Sequence, residues 1–299
     1  SLTSITFSDS VTSIGDGAFY SCESLTSIII PDSVTSIGDY AFYGCESLTS
    51  ITIPDSVINL GGYTFKNTPW LEEQRKNNLL VIVNGILIDG TTCEGDVIIP
   101  NSVTSIGAGA FRECENLTSI TIPDSVTSIE NDTFYNCESL TSITIPDTVI
   151  KIGHDAFRRC FSLTSVAIPK SVKTIGNTAF YGCDSLTSIK VDNDNMNYSD
   201  IDGVLFDKQM KSILQYPNGN PKKSYTIPDC VTNIGDSAFR GCSTLTSIVI
   251  PESVTYIGDS AFRECSTLTS IVIPESVTYI GDSAFKECSA LVSIVIPDS

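Results

Sequence analysis

A fixed 23-residue period runs through this chain and constrains its fold more than any other feature. Cys22 and Cys45 lie one period apart, Cys114, Cys137, Cys160 and Cys183 follow at the same step, and Cys242, Cys265 and Cys288 repeat it again. Self-similarity at a fixed step of this size is the signature of stacked repeats. With LTSIIIPDSVTSIGDYAFYGCES from Leu25 as the type unit, ten units are recognisable, and LVSIVIPDS from Leu291 is a piece of the next. Neither end carries a capping segment, so both ends are expected to have been cut from a longer protein.

Inside one unit the spacing L-x-x-I-x-I, as at Leu48, Ile51 and Ile53, points alternate side chains to one face and predicts a short strand that Pro54 ends. Val34 and Ile37 send a second apolar pair inward, and Gly38 lets the chain turn after them. Asp39 stands where a helix cap would be, with Ala41, Phe42 and Cys45 at the spacing of a helical inner stripe. A single unit buries about seven side chains at about 2 kcal/mol each, too little against about 1.5 kcal/mol of ordering entropy per residue. Stacking is therefore obligatory. The expected fold is an α/β repeat solenoid over residues 1–299, with a parallel sheet of short strands, short helical turns and two β-hairpin excursions.

The excursions come from two irregular coils, at 71–93 and 186–221. In the first, Asn84-Gly85 between β-rich runs predicts a hairpin over Leu79 to Asp89. In the second, GVLFD and SILQYP are expected to pair around Lys208 to Lys211, giving a hairpin over Val204 to Tyr216.

Charge narrows the function. Lys and Arg number 17 against 35 Asp and Glu, a net charge of −18, which repels nucleic-acid phosphate and anionic membranes. No apolar run is long enough to insert in a bilayer. The one histidine, His154, takes the slot of Asp39, Asp236 and Asp259 and reads as a variant cap rather than a catalyst. Serines and threonines are locked to the period as sheet and turn residues. No enzyme, metal or cofactor is expected. Equivalent cysteines stand a coil apart, too far for disulfides, and read as buried free thiols; Cys93 and Cys230 fall out of register and are the expected reactive ones. Asp9, Asp32, Asp55, Asp124, Asp147, Asp229, Glu252, Glu275 and Asp298 form an acidic column after the prolines, which reads as turn residues, Asn101 and Lys170 interrupting any calcium ladder.

The L-x-x-I-x-I-P core followed by V-x-x-I-G-x-x-A-F-x-x-C closely resembles the BspA-like, Treponema-type leucine-rich repeats, over essentially the whole chain. The segments TPWLEEQRKNNLLVIVNGILIDGTTCEGDVIIP and VDNDNMNYSDIDGVLFDKQMKSILQYPNG are similar to irregular coils of such proteins from gut and oral bacteria. The resemblance implies a secreted or cell-surface protein that adheres to host extracellular-matrix proteins, cell-surface proteins or glycans.

Candidate partner-binding residues follow from where the columns change. Outward strand positions held by Thr6, Thr52, Thr121 and Thr144 become Val249, Val272 and Val295, and Tyr256 and Tyr279 replace the serine of Ser13 and Ser36. The place of Tyr20, Tyr43, Tyr135 and Tyr181 turns to Arg240, Arg263 and Lys286. Tyr and Arg are hot-spot residues, although duplication of a unit also yields identical neighbours. Single-copy features discriminate better, which singles out Trp70, Arg75 and Lys76 beside the first excursion and Tyr198, Phe206, Lys208 and Tyr216 in the second. Packing of these side chains onto the solenoid is the alternative for Trp70 and Phe206. A structural spacer without a binding role is the alternative for the chain.

Overall fold

The repeat step is the strand register. In the computed structural model, which describes residues 2–296, Ser27 pairs with Ser50 and Ile28 with Ile51, both parallel and one period apart. The same step relates Ser119 to Ser142, Ser165 to Ser188 and Ser270 to Ser293. A second parallel column follows each bend, as in Ser36 with Asn59, Ser128 with Lys151 and Tyr256 with Tyr279. Both columns run coil upon coil, giving a solenoid of short strands.

The interior is built from equivalent residues. In the coil beginning at Leu163, that leucine, Val166, Ile168, Val172, Ala179, Phe180 and Cys183 are all buried. Phenylalanines stack at the coil pitch: Phe134 and Phe157 lie 5.3 Å apart with planes 10° off parallel, and Phe157 and Phe180 lie 5.6 Å apart. Most in-register thiols do more than fill space. Cys160 Sγ donates to Phe134 O at 3.1 Å and Cys183 Sγ to Phe157 O at 3.1 Å, so the cysteine hydrogen-bonds to the preceding coil. Serines do likewise, Ser171 Oγ donating to Val149 O at 2.7 Å. The many Ser and Thr residues thus link coils.

The segment with the helical spacing is not a helical turn. Tyr40, Phe42 and Gly44 donate their N–H groups across to Gly62, Thr64 and Lys66 of the next coil, while Tyr43 and Cys45 bond back to Tyr40 and Phe42. It is a pair of linked tight turns, with left-handed residues at Tyr40 (φ 57°) and Gly44 (φ 68°), and every second N–H extends the parallel ladder. The Asp slot serves that ladder: Asp39 Oδ1 accepts from Gly62 N–H at 2.7 Å, and Asp39 N–H donates to Asp16 Oδ1. His154 does the same work, its Nδ1 accepting from Asn177 N–H at 3.1 Å.

The first irregular coil contains a helix besides the expected hairpin. The 23-residue step puts a strand near residues 73–75, and the chain forms α1 (Pro69–Asn77) there instead. Thr68 caps it by accepting from Leu71 N–H, Pro69 begins it, and Arg75 and Lys76 close its last turn. The expected hairpin follows, Val81–Val83 against Ile86–Asp89, with Asn84 and Gly85 both left-handed, the pair of conformations a two-residue type I′ turn demands. The second excursion is larger than the expected hairpin. Val204–Asp207 pairs antiparallel with Ser212–Gln215 and also with Tyr198–Ile201, making a three-stranded meander around Asp202-Gly203. Both excursions rejoin the stack in parallel, Ile86 and Leu87 against Ser105 and Ile106, and Ser212 and Ile213 against Asn233 and Ile234.

Candidate functional site

The outward strand column carries a run of exposed apolar side chains. Val249, Val272 and Val295 are each more than half exposed and stand one above the other across Ser247–Val249, Ser270–Val272 and Ser293–Val295. Ile29 and Ile98, in the same column by the 23-residue step, are more exposed than the three valines, at 71% and 75%. These two isoleucines stand among the threonines of the column, where the change to valine toward the C-terminus is the more visible signal. Tyr256 and Tyr279 stack in parallel at 4.8 Å in the second column, Tyr256 half-buried and Tyr279 exposed.

The turn face carries a ladder that the sequence displayed only in part. Arg112 lies 4.1 Å from the Tyr135 ring, Arg158 lies between Tyr135 and Tyr181, and Arg240 lies 4.0 Å from Tyr181. These cations are paired: Arg158 with Asp155, Arg240 with Glu264, Arg263 with Glu264 and Glu287. The ladder therefore locks neighbouring coils together and presents little free positive charge. Tyr20, Tyr43, Tyr40 and Tyr63 extend the aromatic part, with Tyr20 and Tyr43 stacked at 5.1 Å and Tyr40 and Tyr63 at 5.2 Å.

Several single-copy candidates turn out to hold the fold. Phe206 and Tyr216 are wholly buried, which corrects their assignment as partner anchors: Tyr216 occupies the phenylalanine column, stacked on Phe239 at 5.2 Å. Trp70 is half-buried, edge-on to Phe65 at 4.9 Å. Arg75 makes a two-pronged ion pair with Asp89, at 3.0 and 2.6 Å, and is mostly buried. Tyr198 is half-buried, its hydroxyl accepting from Ile175 N–H at 2.9 Å. Lys208 is half-buried and reaches Asn193 O at 3.4 Å. Lys76 is exposed and pairs only with Glu73. Of these residues, Lys76 is the exposed one.

The cysteines are all free thiols. Cys230 is exposed as expected. Cys93 is buried, with its Sγ donating to Leu79 O at 3.3 Å, which corrects its assignment as reactive, while Cys22 and Cys288 are half-exposed. Burial pushes the Cys93 thiol up to about 11 and the Cys114 thiol up to about 12. Among the described residues no three His, Cys, Asp or Glu side chains gather closely enough to hold a metal ion, and Asp298 of the acidic column lies outside those residues. No described helix is long and apolar enough to cross a membrane.

Comparison with known proteins agrees with this architecture. The family described as BspA type leucine-rich repeat region matches residues 1–86, 90–212 and 216–299. A leucine-rich cell surface protein from Faecalibacterium prausnitzii is 32% identical, with a TM-score of 0.55 over 96% of this chain and 77% of that one. The pneumococcal vaccine antigen PcpA, 22% identical, shares the fold with a TM-score of 0.54 over 98% of this chain and 70% of that one. The chain spans 57% of a leucine-rich repeat protein from Eubacterium ventriosum, to which it is 26% identical with a TM-score of 0.48. No curated protein matches. A 23-residue register in both strand columns, in-register thiols that hydrogen-bond to the preceding coil and a family match along nearly the full length lead to one conclusion: the chain belongs to the BspA-type leucine-rich repeat family.

Proposed function

We propose that the chain is a non-enzymatic binding scaffold, secreted or held at a cell surface, that adheres to host extracellular-matrix or cell-surface proteins or to glycans. The observation that carries this reading is the exposed apolar column of Val249, Val272 and Val295. Contiguous apolar surface on a soluble protein marks an interaction site more often than not, and Thr at the same place in other coils shows that the strand does not need it. The cell-surface relative at 32% identity supports the location. The spacer reading draws on the near-identity of the units from Leu245 and Leu268, which duplication alone would produce.

The test is a triple variant, Val249→Thr, Val272→Thr and Val295→Thr, beside two chains in which each irregular coil is replaced by a consensus 23-residue coil. Binding is measured to immobilised extracellular-matrix proteins and to partner cells, with folding checked by the thermal transition. Loss of binding in the triple variant supports the scaffold; equal binding by the parent and all three variants refutes a specific surface and favours the spacer.

A further inference from the structure

The two irregular coils share one plan. In the first, Gly107 N–H donates to Leu87 O at 2.9 Å and Gly90 N–H to Ala110 O at 2.7 Å; in the second, Gly235 N–H donates to Ile213 O at 2.9 Å and Tyr216 N–H to Ala238 O at 2.7 Å. Leu87 is thus equivalent to Ile213, and Asp89 to Gln215. Each coil arrives at this place from a hairpin, without the complete tight-turn segment of a regular coil, and a cleft results between the regular coils on either side.

The first cleft is closed. Gly62 comes so near Ala108 that a β-carbon on the glycine would sit 2.6 Å from Ala108 Cβ, and Tyr63 covers Gly109. The guanidinium of Arg75 enters from α1 and is clamped by Asp89. About 30 Å³ remains. The second cleft is open, with about 320 Å³ between its walls. Its coil places Asn177 at the position of Gly62, Asp236 at that of Ala108 and Thr178 at that of Tyr63, and the segment leading to it forms a strand where the first coil forms α1. Leu214 and Tyr256 give it apolar walls.

We propose that the second cleft receives an arginine side chain displayed by a protein partner, reproducing between molecules what Arg75 does within this one. An arginine stem packs along Leu214, its planar head suits the Tyr256 ring, and Asp236 and the Gln215 amide stand where acceptors are needed. Asp236 uses Oδ1 to accept from Asp259 N–H at 3.0 Å, which leaves Oδ2 for a ligand, and Gln215 uses Nε2 to reach Tyr216 O at 2.9 Å, which leaves its oxygen. A net charge of −18 favours the approach of a basic segment. This inference rests on the protein-binding reading and gives it a specificity element.

The test titrates the peptide acetyl-Gly-Arg-Gly-amide into the whole chain and follows backbone amide resonances. Saturable shifts are expected at Asn177, Thr178, Gln215 and Asn233, with at least about tenfold weaker binding of the citrulline peptide, which keeps the shape and lacks the charge. Asp236→Asn should also weaken binding about tenfold while preserving the fold, because Asn131 fills the same slot and accepts from His154 N–H at 2.9 Å. Equal binding of the citrulline peptide, an unaffected Asp236→Asn variant, or no localised shifts at about 10 mM peptide would overturn the proposal. Adhesion without peptide binding overturns this inference alone, and peptide binding without adhesion overturns the scaffold reading alone.

Discussion

Raising the pH above 9 should unfold this solenoid through its cysteine column. The thiols of Cys137, Cys160, Cys183 and Cys242 are wholly buried, and burial pushes all four above the ordinary value of 9.0. A group with a raised folded pKa contributes stability that is complete below its unfolded value and is lost as pH climbs beyond it, because the unfolded chain releases the proton and the folded chain does not. For one such thiol the loss is about 0.4 kcal/mol at pH 9 and about 1.4 kcal/mol at pH 10. Four together lose about 2 kcal/mol at pH 9 and about 6 kcal/mol at pH 10, comparable with the whole stability of many domains. Cys45, Cys93 and Cys114, also raised by burial, act in the same direction.

The assay is urea unfolding followed by circular dichroism from neutral pH to about pH 10 under reducing conditions, on the parent and on Cys160→Ser. The serine hydroxyl retains a donor for Phe134 O and does not titrate, so the variant should start about 1 kcal/mol less stable and lose about 1.4 kcal/mol less by pH 10. General charge repulsion at high pH weakens both proteins alike. A stability difference between them that stays constant across this range would refute the reasoning.

Four further outcomes follow from individual contacts. Phe157→Ala removes a ring stacked on both faces and should cost about 4 kcal/mol in urea unfolding, with amide-exchange protection lost first around residues 134–180; Phe157→Leu should cost about 1 to 2 kcal/mol. Asp89→Ala removes the two-pronged partner of the mostly buried Arg75 and leaves it Glu72 alone, and should cost about 2 kcal/mol by the same measurement. Glu113→Gly should stabilise by about 0.5 to 1 kcal/mol, since Glu113 is held at φ 64° where Gly44, Gly182 and Gly241 stand in other coils. In native thiol labelling Cys230 should react first, Cys22 and Cys288 more slowly, and the remaining cysteines only on unfolding.

The periodic part of the molecule was legible because sequence step and strand register are the same quantity: equivalent residues 23 apart, such as Ile28 and Ile51, are the residues that pair. The first hairpin was legible because Asn84-Gly85 fits one turn type. The signal for α1 lies in Thr68, Pro69 and the charges that follow, a cap and first turn that the hairpin signal beside it does not cover. The tight turns were misread for a physical reason. Ala41, Phe42 and Cys45 face inward at helical spacing whether the backbone is helical or carries left-handed residues at 40 and 44, and the hydrogen bonds that decide between these run to the next coil. Pattern within one unit does not contain them. Tyr216 was misplaced because the meander returns its chain to the phenylalanine column, a register set by the pairing of Ile213 with Ile234, and Phe206 because its strand pairs across Ile213 and is buried with it.

The same dependence on neighbours sets where single-copy surface arises in a chain of this kind. A regular coil is covered on both sides by near copies of itself, so Phe, Cys and Asp columns are satisfied internally and the surface left over repeats. At the irregular coils that closure fails, and the apolar interior is divided there: Val81 packs with the segment before, Leu87 with the segment after, and Leu205 and Val204 separate in the same way at the second. Each break must be sealed by something. At the first, α1 supplies Arg75, and Gly62 and Tyr63 close over it. At the second, the residues equivalent to that seal are Asn177, Thr178, Asp236 and Gln215, all polar and arranged around open space. The excursion that disrupts the repeat therefore also creates surface that strict repetition cannot produce, a cleft lined by residues that no regular coil copies.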